Sequence, residues 1–181
     1  MLYQELILSG SGGQGLILAG IILAEAALLD DKKVIQSQSY GPEARGGASK
    51  SEVIISDIPI HYPKVDKCDI LLSLTQNSCD KYIDSLKPNG ILILDSNVKV
   101  PPNRHDVEIY SIPILETASN GLRKPMVANI VALGSICELT GIVDKFSLEK
   151  AVLTRVPRGT EELNKDALEK GFELIKKYGS K

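Results

Sequence analysis

Residues 2–29 read LYQELILSGSGGQGLILAGIILAEAALL and contain three successive patterns. A short strand-like run, residues 2–8, leads directly into a glycine-rich turn at residues 9–15. An almost uninterrupted aliphatic run, rich in Leu and Ala, then favours a helix over residues 16–29. We therefore predict a strand, a glycine turn and a helix, which together form the opening unit of an α/β fold.

The predicted helix at residues 16–29 is apolar on nearly every side, because only Gly20 and Glu25 interrupt its aliphatic side chains. The run is too short to span a bilayer. A helix of this kind has to be covered on two sides. We expect the sheet on one side and a further element, such as another subunit, on the other.

The rest of the chain alternates strand patterns with helix patterns. Strands are predicted at residues 33–37, 49–56, 68–74, 90–94 and 107–110, and helices at residues 76–86, 129–140 and 161–178. Gly141 suits the end of one helix, and Thr160 is the expected N-cap of the last. The alternation predicts an α/β fold, a single Rossmann-like domain over residues 1–181, with a mostly parallel sheet flanked by helices.

The composition is that of a globular protein without unusual charge. The 181 residues are 43% hydrophobic and 24% charged, with a formal net charge of -2. There is no excess of basic residues to attract a nucleic acid, and an aromatic content of 4% argues against a base-stacking surface. The opening residues form a strand pattern that differs from a signal peptide. We expect a cytoplasmic protein that binds neither nucleic acid nor membrane.

The three cysteines, Cys68, Cys79 and Cys137, lie far apart in the sequence. Their spacing does not match that of an iron–sulfur cluster or a zinc site. We expect free, buried thiols that act as small apolar side chains. His61 and His105 have no metal-ligand spacing either, so the sequence predicts no metal site in this chain.

The glycine turn has the spacing Gly10-x-Gly12-x-x-Gly15 between a strand and a helix. Glycines in that position allow a tight turn and a close ligand, while free backbone N–H groups and the helix dipole favour an anion. A phosphate group is the natural ligand, although the same loop can simply close a corner between strand and helix. A nicotinamide dinucleotide is disfavoured, since residues 36–39 contain no acidic side chain for its ribose.

A second loop, YGPEARGG at residues 40–47, combines one proline, three glycines and one charge of each sign. Loops at the carboxyl ends of neighbouring strands meet over one crevice in a doubly wound sheet, so this loop is expected to face the glycine turn. Arg45 is then placed to meet a phosphate or a carboxylate. The alternative is a local ion pair between Arg45 and Glu43, which is a common and weak interaction.

Taken together, the two loops resemble a known family. The glycine turn, Ala19-Gly20, the loop at residues 40–47 and Ser51-Glu52-Val53-Ile54 are similar to the gamma subunit or gamma domain of 2-oxoacid:ferredoxin oxidoreductases, of the 2-oxoglutarate synthase, pyruvate or ketoisovalerate type. The resemblance continues through Tyr62-Pro63, Asp69, Asp95, Asn129 and Gly134, and it therefore spans most of the chain.

The resemblance implies a subunit of an enzyme complex that oxidatively decarboxylates a 2-oxoacid, forms an acyl-CoA and passes electrons to ferredoxin. Thiamine diphosphate and Mg²⁺ are expected between partner alpha and beta subunits, and iron–sulfur clusters in a ferredoxin-like delta subunit or the beta subunit. 2-Oxoglutarate is the expected substrate, with pyruvate, 2-oxoisovalerate and indolepyruvate as alternatives. This chain should carry no catalytic residue and should be inactive alone.

The gamma domain of this family is associated with coenzyme A. The glycine-turn backbone would receive an anionic group of the coenzyme, and Arg45 would neutralise charge nearby. The expected contacts are Gly10, Gly12, Gly13, Gln14, Gly15 and Arg45. Asp95, at a strand end, is expected either to point into the crevice or to cap a neighbouring element. A function of a different class, a stand-alone nucleotide-binding module with a regulatory or scaffolding role, remains open from the sequence.

Overall fold

A computed structural model describes residues 1–39 and 47–179 of the chain. The strands are β1 Tyr3–Ser11, β2 Lys33–Ser39, β3 Ala48–Ser56, β4 Cys68–Ser73, β5 Leu86–Asp95 and β6 Glu108–Ile112. The helices are α1 Leu16–Leu29, α2 Gln76–Tyr82, α3 Ile114–Glu116, α4 Ala128–Thr140, α5 Lys145–Arg155 and α6 Glu161–Tyr178. A π-helical turn, Thr117–Gly121, and two 3₁₀ turns, Ile83–Ser85 and Pro125–Val127, complete the regular elements of this part of the chain.

The six strands form one sheet in the order β2-β3-β1-β4-β5-β6. The pairs β1–β4, β4–β5 and β5–β6 are parallel, whereas β3 is antiparallel to both β2 and β1. The predicted mostly parallel α/β sheet is therefore confirmed. The expected alternation fails between β2 and β3, because residues 40–47 are too few for the crossover that parallel strands require.

The core lies in two apolar layers, one on each face of the sheet. In β1, Leu6 and Leu8 point into the larger layer, and Ile7 points into the smaller one. The larger layer is covered by α1, α4, α5 and α6, and the smaller one mainly by α2. This alternation within a strand follows from the two-residue repeat of extended backbone.

Helix α1 is covered on its outer side by α5, which packs against it within the same chain. Arg155 of α5 forms an ion pair with Glu25, the single charged residue of α1. On its inner side, α1 lies so close to β3 that a side chain at Gly20 would collide with Ser51. The expected second cover of α1 is therefore α5 of the same chain, a helix that the sequence analysis did not predict.

Helices α4 and α6 pack closely against each other. Gly134 on α4 faces Gly171 on α6, and neither position has room for a Cβ atom. Helix α4 ends at Gly141, whose φ of 60° confirms the predicted helix stop. Thr160 is the N-cap residue of α6, as predicted, but its hydroxyl donates to the Pro157 carbonyl oxygen at 2.7 Å and does not cap the helix.

The three cysteines are free and buried, as predicted. Burial raises the pKa of Cys68 to about 12 and those of Cys79 and Cys137 to about 11. Across residues 1–39 and 47–179, no group of three His, Cys, Asp or Glu side chains is arranged to hold a metal ion. The helices in these ranges are too short or too polar to cross a membrane.

Candidate functional site at the head of helix α1

The glycine turn stands on a rigid base formed by the carboxyl ends of β1 and β4. The buried Ser9 hydroxyl donates to the Leu72 carbonyl oxygen at 2.7 Å and lies 3.0 Å from the Ser73 hydroxyl. The Leu74 N–H donates to the Ser9 carbonyl oxygen at 3.0 Å. These contacts fix the point from which the chain leaves the sheet and enters the turn.

Residues 12–15 expose backbone rather than side chains. Gly13 and Gly15 have φ values of 87° and 72°, which glycine adopts without strain. Gly12 and Gly13 are exposed, and there are no atoms within 4 Å of a Cβ built on Gly13. Between described residues, no hydrogen bond engages the N–H of Gly12 or Gly13. The turn therefore offers open space lined by backbone donors.

The first turn of α1 begins at Gly15 without a side-chain cap. The first N–H groups of a helix have no partner inside the helix. They also carry the positive end of the helix dipole, so the head of α1 attracts negative charge. In combination with the open turn, this arrangement is suited to a phosphate or a similar anion.

The Gln14 side chain folds back over the turn. Its Oε1 accepts a hydrogen bond from the Ser11 N–H at 2.8 Å. Gly10 makes this possible, because a Cβ there would collide with Gln14 Oε1 and lie 2.9 Å from Leu16 Cδ1. Gln14 and Gly10 thus shape the turn, and a direct contact of either with a ligand stays a prediction.

Asn129, near the start of α4, contacts the last residue of the turn. Its Nδ2 donates to the Gly15 carbonyl oxygen at 3.1 Å, and its side chain is buried. The sequence analysis placed Asn129 only within the family resemblance and gave it no role. A contact across 114 residues leaves no local signal in a single sequence.

Arg45 and the other residues of the second loop from Tyr40 to Gly46 lie outside the described residues. The strand pairing around them is informative, since Ser11 pairs with Ala48 and Ser39 pairs with Lys50. Ser39 and Ala48, which flank the second loop, therefore lie at the same end of the sheet as the glycine turn. The predicted contact of Arg45 with a ligand stays a prediction.

Asp95, at the carboxyl end of β5, is fully buried, and its carboxylate caps neighbouring backbone N–H groups. Its Oδ1 accepts the Asn97 N–H at 3.0 Å, and its Oδ2 accepts the Leu115 N–H at 2.8 Å. The capping alternative is therefore confirmed, and the carboxylate does not line the crevice.

Comparison with known proteins identifies the family. Residues 5–174 match the family described as "Pyruvate ferredoxin/flavodoxin oxidoreductase". The chain therefore belongs to the pyruvate ferredoxin/flavodoxin oxidoreductase family. It is 54% identical over 178 residues to a 2-oxoglutarate synthase subunit, KorC, of Methanocaldococcus jannaschii, and the match covers 96% of this chain and 94% of that relative.

Two solved structures share the fold. The gamma subunit of a keto/oxoacid ferredoxin oxidoreductase from Geobacter sulfurreducens superposes with a TM-score of 0.90 at 51% identity, covering 98% of this chain and 99% of that chain. A 2-oxoglutarate:ferredoxin oxidoreductase from Magnetococcus marinus superposes with a TM-score of 0.86 at 21% identity, covering 98% of this chain but 32% of that chain. The prediction of a gamma subunit of a 2-oxoacid:ferredoxin oxidoreductase complex is confirmed.

Proposed function

We propose that this chain serves a 2-oxoglutarate:ferredoxin oxidoreductase, in which residues 1–181 act as one gamma-type domain that holds coenzyme A and closes over the thiamine site of its partners. The complex converts 2-oxoglutarate and coenzyme A to succinyl-CoA and CO₂ while reducing ferredoxin. The choice of 2-oxoglutarate is supported by the KorC relative at 54% identity. Coenzyme A is supported by the Magnetococcus marinus structure, which has 2-oxoglutarate, coenzyme A and succinyl-CoA bound.

The observation that carries the proposal is the open, uncapped turn at the head of α1. Coenzyme A carries a pyrophosphate and a ribose phosphate, and the exposed backbone of Gly12 and Gly13 leads to the positive end of the helix. Gln14 already occupies the Ser11 N–H, so the anion would use the amides of Gly12, Gly13, Gly15 and the first turn of α1. Arg45 would add charge from the second loop.

The remaining chemistry belongs to partners. Alpha and beta subunits would hold thiamine diphosphate and Mg²⁺, which supply the decarboxylation. A ferredoxin-like delta subunit or the beta subunit would hold the iron–sulfur clusters that pass electrons to ferredoxin, in the cytoplasm. The contribution of this chain is to bind and orient the acyl acceptor, so the isolated chain should not oxidise any 2-oxoacid.

Two variants at Gly13 test the phosphate site. Gly13→Asp and Gly13→Asn place side chains of nearly equal shape in open space at φ 87°, a conformation that Asn and Asp tolerate better than most residues. The charge is the main difference between them. Because a negative charge close to a bound phosphate at an exposed site costs about 1–2 kcal/mol, Gly13→Asp should bind coenzyme A roughly fivefold to thirtyfold more weakly than Gly13→Asn.

The measurement is calorimetry of coenzyme A binding to the complex reconstituted with its partner subunits. Steady-state assays with 2-oxoglutarate, pyruvate, 2-oxoisovalerate and indolepyruvate in the same preparation identify the substrate. Equal affinities of the two variants would exclude an anion at this turn. Preferred turnover of another 2-oxoacid would retain the gamma-subunit role and overturn the choice of substrate.

A further inference from the structure

We propose that Asn129 is a positioning residue for the glycine turn, which fixes the direction of the first N–H group of α1 without touching the ligand. This inference rests on the proposed coenzyme A site. It assigns a role to a side chain of α4. This side chain lies more than a hundred residues after the glycine turn in the sequence, but it contacts the turn in the folded chain.

The Asn129 carboxamide is held at both of its ends. Its Oδ1 accepts the Ile130 N–H at 2.9 Å, which leaves Nδ2 facing the turn. Nδ2 donates to the Gly15 carbonyl oxygen at 3.1 Å. The same carbonyl accepts the Ala19 N–H at 2.9 Å, the first hydrogen bond of α1. Two donors from different helices thus converge on one carbonyl group.

Because the peptide bond is planar, the contact between Asn129 and the Gly15 carbonyl also affects the next N–H group. The Gly15 carbonyl and the Leu16 N–H belong to the same rigid peptide unit. A hydrogen bond that fixes the carbonyl therefore also fixes the direction of the Leu16 N–H. That N–H opens α1, where the unpaired donors of the helix face the proposed anion.

Gly15 and Asn129 are in close contact. A Cβ on Gly15 would lie 2.6 Å from Asn129 Nδ2, so the amide occupies the space that a side chain would need. Asn129 is only 4% exposed, and α4 is itself held against α6 where Gly134 meets Gly171. The exposed turn is therefore tied by one side chain to the close-packed helix pair.

Asn164 provides a matched control. It is also 4% exposed, and it lines the same cavity of about 180 Å³ as Asn129. Among the described residues, its Nδ2 bonds only to Thr160, at 2.8 Å to the carbonyl oxygen and 3.1 Å to the hydroxyl. Asn164→Ala therefore removes a buried amide beside the site without releasing the turn.

The experiment compares Asn129→Ala with Asn164→Ala in the reconstituted complex. We expect Asn129→Ala to raise the Kd and KM for coenzyme A roughly fivefold to thirtyfold, the equivalent of one misdirected hydrogen-bond donor. The kcat at saturating coenzyme A and the KM for the 2-oxoacid should stay within about twofold, because the lost contact acts on binding of one substrate. Asn164→Ala should leave all of these values near those of the wild type.

A double-mutant cycle tests the contact between Gly15 and Asn129 directly. Gly15→Ala pushes a methyl group against Asn129 Nδ2, and Asn129→Ala removes the group that is hit. The two changes should therefore be non-additive in coenzyme A affinity. Additivity, or an Asn129→Ala effect no larger than that of Asn164→Ala, would overturn the positioning role.

The Gly13 variants separate this inference from the proposed function. If Gly13→Asp and Gly13→Asn bind coenzyme A equally, the phosphate site itself fails. If those two variants differ while Asn129→Ala matches Asn164→Ala, the phosphate site stands and only the positioning role of Asn129 fails.

Discussion

One added methyl group between α4 and α6 should destabilise the chain. A Cβ on Gly134 would lie 3.1 Å from the Gly171 Cα and 3.2 Å from the Leu168 carbonyl carbon, and it would collide with the Leu168 carbonyl oxygen. These are backbone atoms that cannot rotate away. Gly134→Ala can therefore be accommodated only if the two helices move apart.

The size of the effect follows from three contributions. Overpacking a well-filled core costs about 1–3 kcal/mol. Separation of the helices also breaks the 3.1 Å hydrogen bond from the Ser135 hydroxyl to the Gly171 carbonyl oxygen, worth about 1 kcal/mol. The better helix propensity of Ala offsets about 1 kcal/mol of this loss. We expect a net loss of about 1–3 kcal/mol in the free energy of unfolding, or about 2–4 °C in Tm per kcal/mol.

Urea unfolding of the full chain, followed by circular dichroism, measures this loss directly. Gly121→Ala is the matched control, because its added methyl would meet nothing closer than Thr117 Cγ2 at 3.9 Å. That control should change the stability by no more than about 0.5 kcal/mol. A Gly134→Ala chain as stable as the control would show that the helices can separate without cost, and the argument from the close packing of α4 and α6 would be wrong.

Two further predictions concern ionisable groups. Burial lowers the pKa of Lys87, but its hydrogen bonds to Glu5 and Asp69 outweigh burial and raise that pKa above its ordinary value of 10.5. The stabilisation that protonated Lys87 contributes is therefore complete below its ordinary pKa and is lost as the pH rises through the higher folded-state pKa. In urea unfolding above about pH 10.5, the free energy of unfolding should fall more steeply with pH for wild type than for Lys87→Met. Parallel pH profiles of the free energy of unfolding would show that the hydrogen bonds of Lys87 to Glu5 and Asp69 do not stabilise the fold. Burial also raises the pKa of every cysteine thiol to about 11 or 12, so iodoacetamide at about pH 8 should label the cysteines only after unfolding, as read by mass spectrometry. Rapid labelling of the folded chain would show that a thiol is accessible.

Local sequence patterns were sufficient to predict most of the helices and strands. Helix α1 begins and ends at Leu16 and Leu29 as predicted, because an unbroken aliphatic run follows a glycine turn. Helix α5 was missed, because charged residues interrupt the apolar positions of Lys145–Arg155 and weaken its helical period. Of the predicted site residues, Gly10 lies in the last residues of β1 and Gly12 to Gly15 form the adjoining turn, so the predicted turn starts three residues too early at Ser9. Arg45 lies outside the described residues.

The sequence by itself determined the strand, glycine turn and helix that open the fold, because each depends on residues within a few positions of one another. Only the tertiary structure decided that β3 lies antiparallel between β2 and β1, that α5 covers α1, and that Asn129 holds the Gly15 carbonyl. These features arise from contacts between distant segments, whose geometry depends on how the whole core packs. The glycine turn is therefore visible in the sequence, whereas the side chain that orients it becomes visible only in the folded chain.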